Sequence, residues 1–500
     1  MKPENGSLPT NSSDSQEIVS AKALTISILL LSLLATLRFG WVGDDAAISF
    51  RVIDNFLNGF GLRWNTFERV QVFTHPLWLL LLIPFHWITG EPFITTIIIS
   101  SLLAVSSLGI ILFLLCDSPA KAIICSGLWI LSAAVIDYST SGLENPLAYF
   151  LITLFVAAFT RSTSHRQVLQ LSILTALIGC TRLDLLLMVL PALIAKTGRS
   201  IEGLKQALWG LIPLFLWELF SLVYFGFPFP NTAYAKLGTS IPSYELHLQG
   251  ILYLIHHLWA DPITLSTLLL GLLSTCTRRT LELLPLIIGQ LLYLTYIVMI
   301  GGDFMAGRML SVPCVFAIAL IASAPAPKLL MRHAAFLLAS LMILAYRMGT
   351  NDGVVRSGGK PDWLPFNGII DERLYYFHGS GLPNFRRDGS FPTHGSRYAG
   401  LAFRNSTRPA LTRVAIGFEG YYAGPHKKVI DVVALADPLL ARMPAINDPF
   451  WRIGHFERAI PPGYLETLTS GKNVIQDPKL RQFYDQLKVI TQEDIWSLKR

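Results

Sequence analysis

Residues 94–116 read ITTIIISSLLAVSSLGIILFLLC, a run without a single charged side chain. A helix crossing a bilayer needs about 20 consecutive apolar residues, because hydrocarbon offers no partner for backbone N–H and C=O groups outside a helical ladder. This run meets that length, and it decides the fold class. Working outward from it, comparable runs fall near residues 23–40, 121–136, 146–160, 168–181, 183–196, 206–226, 261–275, 281–300, 309–325 and 331–346. With the first run they make about eleven candidate spans. The stretch His75–Thr89 is apolar too, but it opens on His-Pro and is interrupted by Pro84. A proline inside so short a run predicts a juxtamembrane or re-entrant segment instead of a span. The run at residues 23–40 follows a polar Ser/Asn-rich tail and precedes further spans, so it is expected to be a retained anchor, not a cleaved signal peptide.

Composition agrees with that class. Of the 500 residues 52% are hydrophobic and 15% charged, with a mean hydropathy of +0.49, too little charge to cover a soluble globule. The net charge of +7 is no nucleic-acid signal, because basic residues gather beside spans for topological reasons. Lys121, Arg161, Arg166, Lys196, Arg199, Lys205, Arg278, Arg279, Lys328 and Arg332 all fall on one side, which the positive-inside rule makes cytosolic. The opposite side then receives residues 41–74, 137–145, 227–260, 301–308 and everything after Tyr346.

The expected organisation is a polar cytosolic tail (1–22), a multi-span α-helical membrane domain (23–346) with a large first extracytoplasmic loop (41–74), and an extracytoplasmic C-terminal α/β domain (347–500). Strand-like runs in the last part are Val414–Phe418 and Val429–Leu435. The expected location is the bacterial inner membrane, with the lipid bilayer as a partner. Cys116, Cys125, Cys180, Cys276 and Cys314 are scattered through apolar segments, so neither a disulfide framework nor a zinc site is expected. No internal repeat is evident, which leans against a transporter.

Directly after the first span comes Gly43-Asp44-Asp45-Ala46-Ala47-Ile48-Ser49-Phe50-Arg51. Adjacent carboxylates at the end of an apolar segment suit proton abstraction in a low dielectric, or, more plainly, the N-cap of a helix starting near Ala46. The loop continues through Asn55, Gly59, Gly61, Glu68-Arg69-Val70 and Thr74-His75-Pro76. This string resembles the first extracytoplasmic loop of the GT-C glycosyltransferases, above all the family of mycobacterial terminal β-(1→2)-arabinofuranosyltransferases. In that family the loop runs Asp-Asp-Ala-x-Ile-x-Phe-Arg, then Asn-x-x-x-Gly-x-Gly, then Glu-Arg-Val. Further elements follow in the family's order: Ser141-Gly142-Leu143-Glu144-Asn145-Pro146, Thr181-Arg182-Leu183-Asp184, Pro230-Asn231-Thr232-Ala233-Tyr234-Ala235-Lys236 and Gly301-Gly302-Asp303-Phe304-Met305-Ala306-Gly307-Arg308. The C-terminal part matches through Gly420-Tyr421-Tyr422, Ile430–Pro438 and Arg452–Arg458, where Ala434 and Ala436 replace the usual Gly and Thr. The likeness spans roughly residues 40–480.

The resemblance implies transfer of a sugar, D-arabinofuranose, from a polyprenyl-phosphate donor to a cell-envelope glycan or glycoconjugate. Asp44 and Asp45 are then the catalytic candidates, with Asp44 favoured to take the acceptor proton. Arg51, Glu144, Arg182, Asp184, Lys236, Asp303, Arg308 and His455 are candidates for donor phosphate or substrate binding, His455 together with Arg452 as a candidate for holding the acceptor. Each also has a structural reading: Glu144 as the cap of a helix started by Pro146, Arg182–Asp184 as an ion pair, Lys236 as a headgroup anchor, Asp303–Arg308 as the lock of a turn, His455 as a packed ring. Donor and product linkages in that family are both β, which a single in-line displacement would not give; a two-step and a same-face path both remain open. No resident cofactor is implied beyond the donor, and a divalent metal stays possible. Alternative functions are a GT-C transferase for mannose or aminoarabinose acting on protein or lipid, and a flippase for polyprenyl-linked glycans.

Overall fold

The structure is a computed structural model that describes residues 12–273, 278–325, 368–386, 388–448, 451–498 and 500. Its first part is helical throughout: α1 (Ser12–Arg38), α2 (Asp44–Leu57), α3 (Pro76–Thr89), α4 (Pro92–Ile110), α5 (Pro119–Leu131), α6 (Ala133–Asp137), α7 (Asn145–Arg161), α8 (Gln167–Thr181), α9 (Leu186–Thr197), α10 (Ile201–Tyr224), α11 (Asn231–Leu237), α12 (Ser243–Ala260), α13 (Pro262–Leu273), α14 (Leu284–Met299) and α15 (Arg308–Ser323). The remainder holds α16 (Glu372–Ser380), α17 (Gly395–Asn405), β1 (Ala410–Arg413), α18 (Gly417–Ala423), β2 (Lys428–Asp431), α19 (Tyr464–Ser470) and α20 (Pro478–Gln492).

The run that opened the sequence becomes one helical rod. Glu91 starts it by accepting the backbone N–H groups of Phe93, Ile94 and Thr95, with Pro92 in the first turn, where its missing N–H costs nothing. The rod continues through a π-helical turn over Ile111–Leu115. Pro92–Leu115, Ile201–Tyr224 and Leu281–Met299 are long and apolar enough to cross a membrane, and six shorter apolar helices accompany them. Apolar side chains cover the outside: Leu208, Trp209, Phe215, Leu216 and Leu219 of α10 are all exposed. A soluble protein could not leave such a surface to water, and the chain is a membrane protein of apolar helices. Small residues let the rods approach closely. A Cβ on Gly210 would lie 2.3 Å from the Ser172 Cβ, and one on Gly289 2.0 Å from the Met188 carbonyl oxygen.

Ten of the expected spans coincide with helices or helix pairs, among them residues 121–136, which α5 and α6 share. The eleventh, 331–346, lies outside the described residues, as do the junction at 346–347 and Cys276. The stretch from His75 forms α3, fourteen residues with Pro84 inside, as short as the proline suggested. Three features differ from expectation, the first being the strand expected at 429–435, which is residues 428–431 and ends where the Asp431 carboxylate accepts the N–H groups of Val433 and Ala436. The 227–260 loop contains α12, whose Gly250 and Tyr253 pack on the end of α14 and on Gly302. The first strand is residues 410–413, not 414–418, because the backbone at Gly417 and Phe418 turns into α18 to meet Asp44.

The C-terminal part is a small α/β unit. Strands β1 and β2 pair in parallel, Ala410 with Lys428 through Arg413 with Asp431, joined by α18 as the crossover that a parallel pair needs. It shares its core with the first loop. Ile416, Phe418 and Val429 are buried with Trp64, Phe50 and Phe93 in one apolar cluster. Gly420 sits where a Cβ would come 2.4 Å from the Trp64 ring. A second cluster joins Ala235 of α11 to Ile430, Leu439, Tyr464 and Leu487. Ile370 bridges to the loop before α15, accepting from the Ala306 N–H (2.9 Å) and donating to the Phe304 carbonyl (2.7 Å). These contacts hold the C-terminal part against one end of the bundle.

Candidate active site

That end of the bundle collects most of the polar residues singled out above. Asp44 and Asp45 open α2, and α-helical geometry turns successive side chains about 100° apart, so neighbours cannot face the same way. Asp44 points into the C-terminal part. Its two oxygens accept the N–H groups of Gly417 and Phe418, both at 2.7 Å, and it is 6% exposed. It therefore caps α18, while its own helix is capped by Gly43 without a side-chain bond. Burial pushes the Asp44 carboxyl up to about 6, against the pull of these N–H groups. Asp45 looks the other way, into an opening. Its side chain is 34% exposed, with Arg308 Nη1 3.7 Å from Oδ2. Removal from bulk water raises its carboxyl above the usual range, opposed by Arg308 and Lys236.

Behind Asp45 lies a buried ion network. Glu144 is fully enclosed and makes no capping bond to α7, so the helix-cap reading of this residue does not describe it. Its Oε1 takes Arg182 Nη1 at 2.9 Å and faces Arg308 Nη2 at 3.6 Å, and its Oε2 lies 3.2 Å from His75 Nδ1. Burial works against a charged Glu144, but His75, Arg308 and Arg182 overcome it and hold the carboxyl well below the usual range. The far ring nitrogen of His75 lies 2.8 Å from Ser49 Oγ on α2. Arg182 also grips Asp184 with two parallel bonds, 2.9 and 2.7 Å. Its guanidinium is thus spent on Glu144 and Asp184, a structural pair of the kind expected for intramembrane charges.

Arg308 is different. It starts α15 after Gly307, which takes a left-handed φ of 79°. Its guanidinium hangs among three carboxylates, Glu144, Asp45 and Asp303, at 3.6, 3.7 and 3.8 Å, and its buried Nε has no partner among the described residues. None of these is a hydrogen bond by length. Lys236, exposed in the last turn of α11, makes no hydrogen bond or ion pair among the described residues. Its Nζ reaches the neighbourhood of Gly454, in the loop that carries Arg452 and His455. Phe304 joins the two sides, with His455 edge-on at 4.4 Å and the Arg452 guanidinium 4.7 Å from its ring centre. Burial beside Arg452 takes the His455 ring down to about 3, so it is neutral and reads as packing. Arg51 makes its bonds elsewhere, donating to the carbonyls of Trp64 (2.8 Å), Gly420 and Lys427 (2.8 Å). It is a strut between the first loop and the C-terminal part.

No group of three or more His, Cys, Asp or Glu suited to a metal ion occurs among the described residues. The cation between Asp45 and Asp303 is Arg308. The four described cysteines, Cys116, Cys125, Cys180 and Cys314, are free. An arrangement of one open carboxylate beside two incompletely bonded cations, at the rim of an apolar bundle, can accept a proton from a hydroxyl while holding an anion next to it.

No family model matches the chain. Among curated proteins, the terminal β-(1→2)-arabinofuranosyltransferase of Mycobacterium tuberculosis is 24% identical over 560 aligned positions, which cover 88% of this chain and 87% of that protein. The chain is a distant homologue of that transferase. Among solved structures, the crystal structure of ArnT from Cupriavidus metallidurans bound to undecaprenyl phosphate superposes with a TM-score of 0.44 at 13% identity, covering 81% of this chain and 85% of that one.

Two groups beside the site, His75 and Glu372, are not legible as partners in the sequence. His75 was visible as part of Thr74-His75-Pro76, yet nothing in the string pairs it with Glu144. Glu372 opens α16 in a stretch, Asp371-Glu372-Arg373, that reads as a solvated helix start. In the structure it is 9% exposed, and burial near Asp45 pushes its carboxyl up to about 8. The sign follows from linkage. A carboxyl whose folded value is raised keeps its proton in the folded state and releases it on unfolding. Its contribution is fully present below the unfolded value near 4.5 and is lost as pH rises through about 8. Glu372→Gln is therefore expected to flatten the decline of the melting temperature between those pH values, as followed by intrinsic fluorescence in detergent. An unchanged slope would contradict the burial of this carboxyl.

The contact between Asp44 and α18 allows a second check. A Cβ on Gly417 would stand 1.8 Å from the Asp44 carbonyl oxygen and 2.7 Å from Oδ2. Gly417→Ala is expected to push α18 off the first loop, destabilising by about 1–3 kcal/mol through overpacking, with a matching fall in melting temperature. Gly395→Ala, whose Cβ meets nothing within 4 Å, is the control.

Proposed function

We propose that the chain is a GT-C glycosyltransferase that moves a sugar from a polyprenyl-phosphate donor to a glycan or glycoconjugate of the cell envelope, and that the sugar is D-arabinofuranose. The observation that carries the proposal is Arg308, a buried guanidinium held by three carboxylates at distances too long for hydrogen bonds, beside the unpaired Lys236 and the open Asp45. Two cations with unused donors suit a phosphate diester that gains charge as it leaves. Distant homology to the arabinofuranosyltransferase supports the choice of sugar.

In this account the donor's prenyl chain lies along the apolar helices and its phosphate meets Arg308 and Lys236. Asp45 takes the proton of the acceptor hydroxyl as the new C1–oxygen bond forms. The C1–phosphate bond breaks, and polyprenyl phosphate leaves with the electron pair. Arg182, Asp184 and Glu144 hold Arg308 and His75 in place, and Asp303 tethers Arg308 from the other side. Asp44 and Arg51 position α2 against the C-terminal part. Collection of the polar groups at one end of the bundle favours surface chemistry over a transport path, which would string them through the midplane. The site belongs on the extracytoplasmic side, with the N-terminus cytosolic, as the distribution of Lys and Arg implies.

The test is transfer by purified membranes given synthetic polyprenyl-phospho-arabinofuranose and short arabinofuranosyl acceptors, with polyprenyl-phospho-mannose and an aminoarabinose donor in parallel. Transfer from the arabinofuranosyl donor alone is expected. Transfer from another donor alone would remove the sugar assignment, and transfer from none would remove the enzyme.

A further inference from the structure

Two polar groups beside the site, Glu372 and Arg452, make no ion pair with each other among the described residues. Glu372 is held in position from several directions. Asp371 caps α16 through the Leu374 N–H at 2.8 Å, and Ile370 is bridged to Phe304 and Ala306. Arg373 pairs with Asp137 at 2.6 Å, and Ser380 at the far end of α16 donates to the Val42 carbonyl. A backbone so thoroughly fixed leaves the Glu372 side chain nine-tenths buried, yet its carboxyl has no hydrogen bond or ion pair among the described residues. Arg452 lies in the loop on Phe304, and its buried Nε has no partner among the described residues. Arg452 packs on the segment that leads into α16: a Cβ on Gly368 would stand 3.4 Å from its Cγ, and its guanidinium lies over the ring of Phe304, whose carbonyl holds Ile370 two residues before Glu372.

We infer that Glu372 and Arg452 form an acceptor-sugar subsite that grips neighbouring hydroxyls of the acceptor, one wall supplied by α16 and the other by the Arg452 loop. The inference rests on the transferase reading given above and adds the place and chemistry of the second substrate. A neutral polyol fits better than an anion, because the Glu372 carboxyl offers acceptor oxygen as well as a donor, which hydroxyls can use and an anion cannot. An arginine and a carboxyl can bracket a pair of adjacent hydroxyls, donating to one oxygen and accepting from the other. The ring of Phe304 beneath Arg452 and the ring of Tyr376 one turn along α16 offer apolar surface for the carbon face of a sugar. Arg308 links Asp45, at 3.7 Å, to Asp303, at 3.8 Å, the residue before Phe304, so the reacting hydroxyl would meet Asp45 beside this pair. Raised to about 8, Glu372 is protonated at neutral pH and able to donate as well as accept.

The experiment measures acceptor binding and transfer separately on detergent-purified full-length protein, using an octyl arabinofuranosyl disaccharide as probe. Glu372→Ala and Arg452→Ala are each expected to weaken probe binding and raise the acceptor KM by about tenfold, the worth of one or two lost hydrogen bonds, with the donor KM unmoved. Glu372→Gln, which keeps donor and acceptor atoms, restores most of the affinity, an outcome that a merely structural role would not give. Wild-type transfer with acceptor KM unchanged in both alanine variants would overturn the subsite and leave the enzyme standing. Failure of the wild type to bind the probe or to transfer would overturn both.

Discussion

Asp45→Ala is expected to lower the rate of sugar transfer by about 10²–10⁴-fold, the range for removing a positioned general base, while donor affinity stays within a few-fold of wild type. The asymmetry of the aspartate pair is the reason. Asp44 already has both oxygens bonded to backbone N–H groups of α18, whereas the Asp45 carboxylate is a third exposed and, among the described residues, pairs with Arg308 alone, at 3.7 Å. Loss of Asp44 should therefore appear first as instability. Asp44→Asn keeps one acceptor for two donors and is expected to lower the melting temperature and activity together. Asp45→Asn should leave the melting temperature near wild type and still abolish turnover. With the Asp45 carboxyl raised above its usual range by removal from water, transfer should climb with pH on the acid side as that group ionises. A wild-type rate in Asp45→Ala, measured as initial product formation at matched protein, would place the base elsewhere.

Arg308→Ala carries the second large effect, and it has two parts. The guanidinium serves three carboxylates, one of them the fully buried Glu144, so its removal leaves negative charge without its partner. Breaking a buried pair from one side costs about 3–5 kcal/mol. The long contacts of Arg308, 3.6–3.8 Å, and the remaining Arg182 and His75 place the expected loss at the lower end. The other part is catalytic. Without Arg308 the departing phosphate keeps only Lys236, and the rate should fall by about 10²–10³-fold, the cost of deleting one donor that stabilises developing charge. Arg308→Lys separates the two parts. It retains the positive charge among the carboxylates and should recover most of the melting temperature, but it lacks the planar fork and should recover little of the rate. Donor KM and thermal melting on the same preparations check both halves.

These residues were legible in the sequence to different depths. The helices were the plainest feature, because a charge-free run of span length has one stable form in lipid. Asp44, Asp45, Glu144, Arg182, Asp303 and Arg308 stood out because carboxylates and guanidinium groups at the ends of apolar runs need a reason to be there. What the string of letters did not carry was the partnering. Glu144 precedes Pro146 as a helix cap would, yet its oxygens go to Arg182 and His75, 38 and 69 residues away in the chain. Arg51 sits in the same motif as the aspartates, but two turns along α2 it meets Trp64 and Gly420 instead. Asp44 and Asp45 differ only through the helical turn between them and the position of α18, a tertiary fact. Glu372 was invisible for the same reason. Its burial depends on the pairing of Ile370 with the loop before Arg308, and no local pattern announces that pairing. The strand expected at 414–418 failed where tertiary demand overrode β-propensity, since the N–H groups of Gly417 and Phe418 serve Asp44.

Lipid-linked sugar transfer between Asp45 and Arg308 can be followed by release of polyprenyl phosphate from radiolabelled polyprenyl-phospho-arabinofuranose in membranes holding equal amounts of wild type and Asp45→Ala. Release should require acceptor, match the sugar transferred one for one, and fall to background in Asp45→Ala. Equal, acceptor-dependent release by both proteins would contradict it.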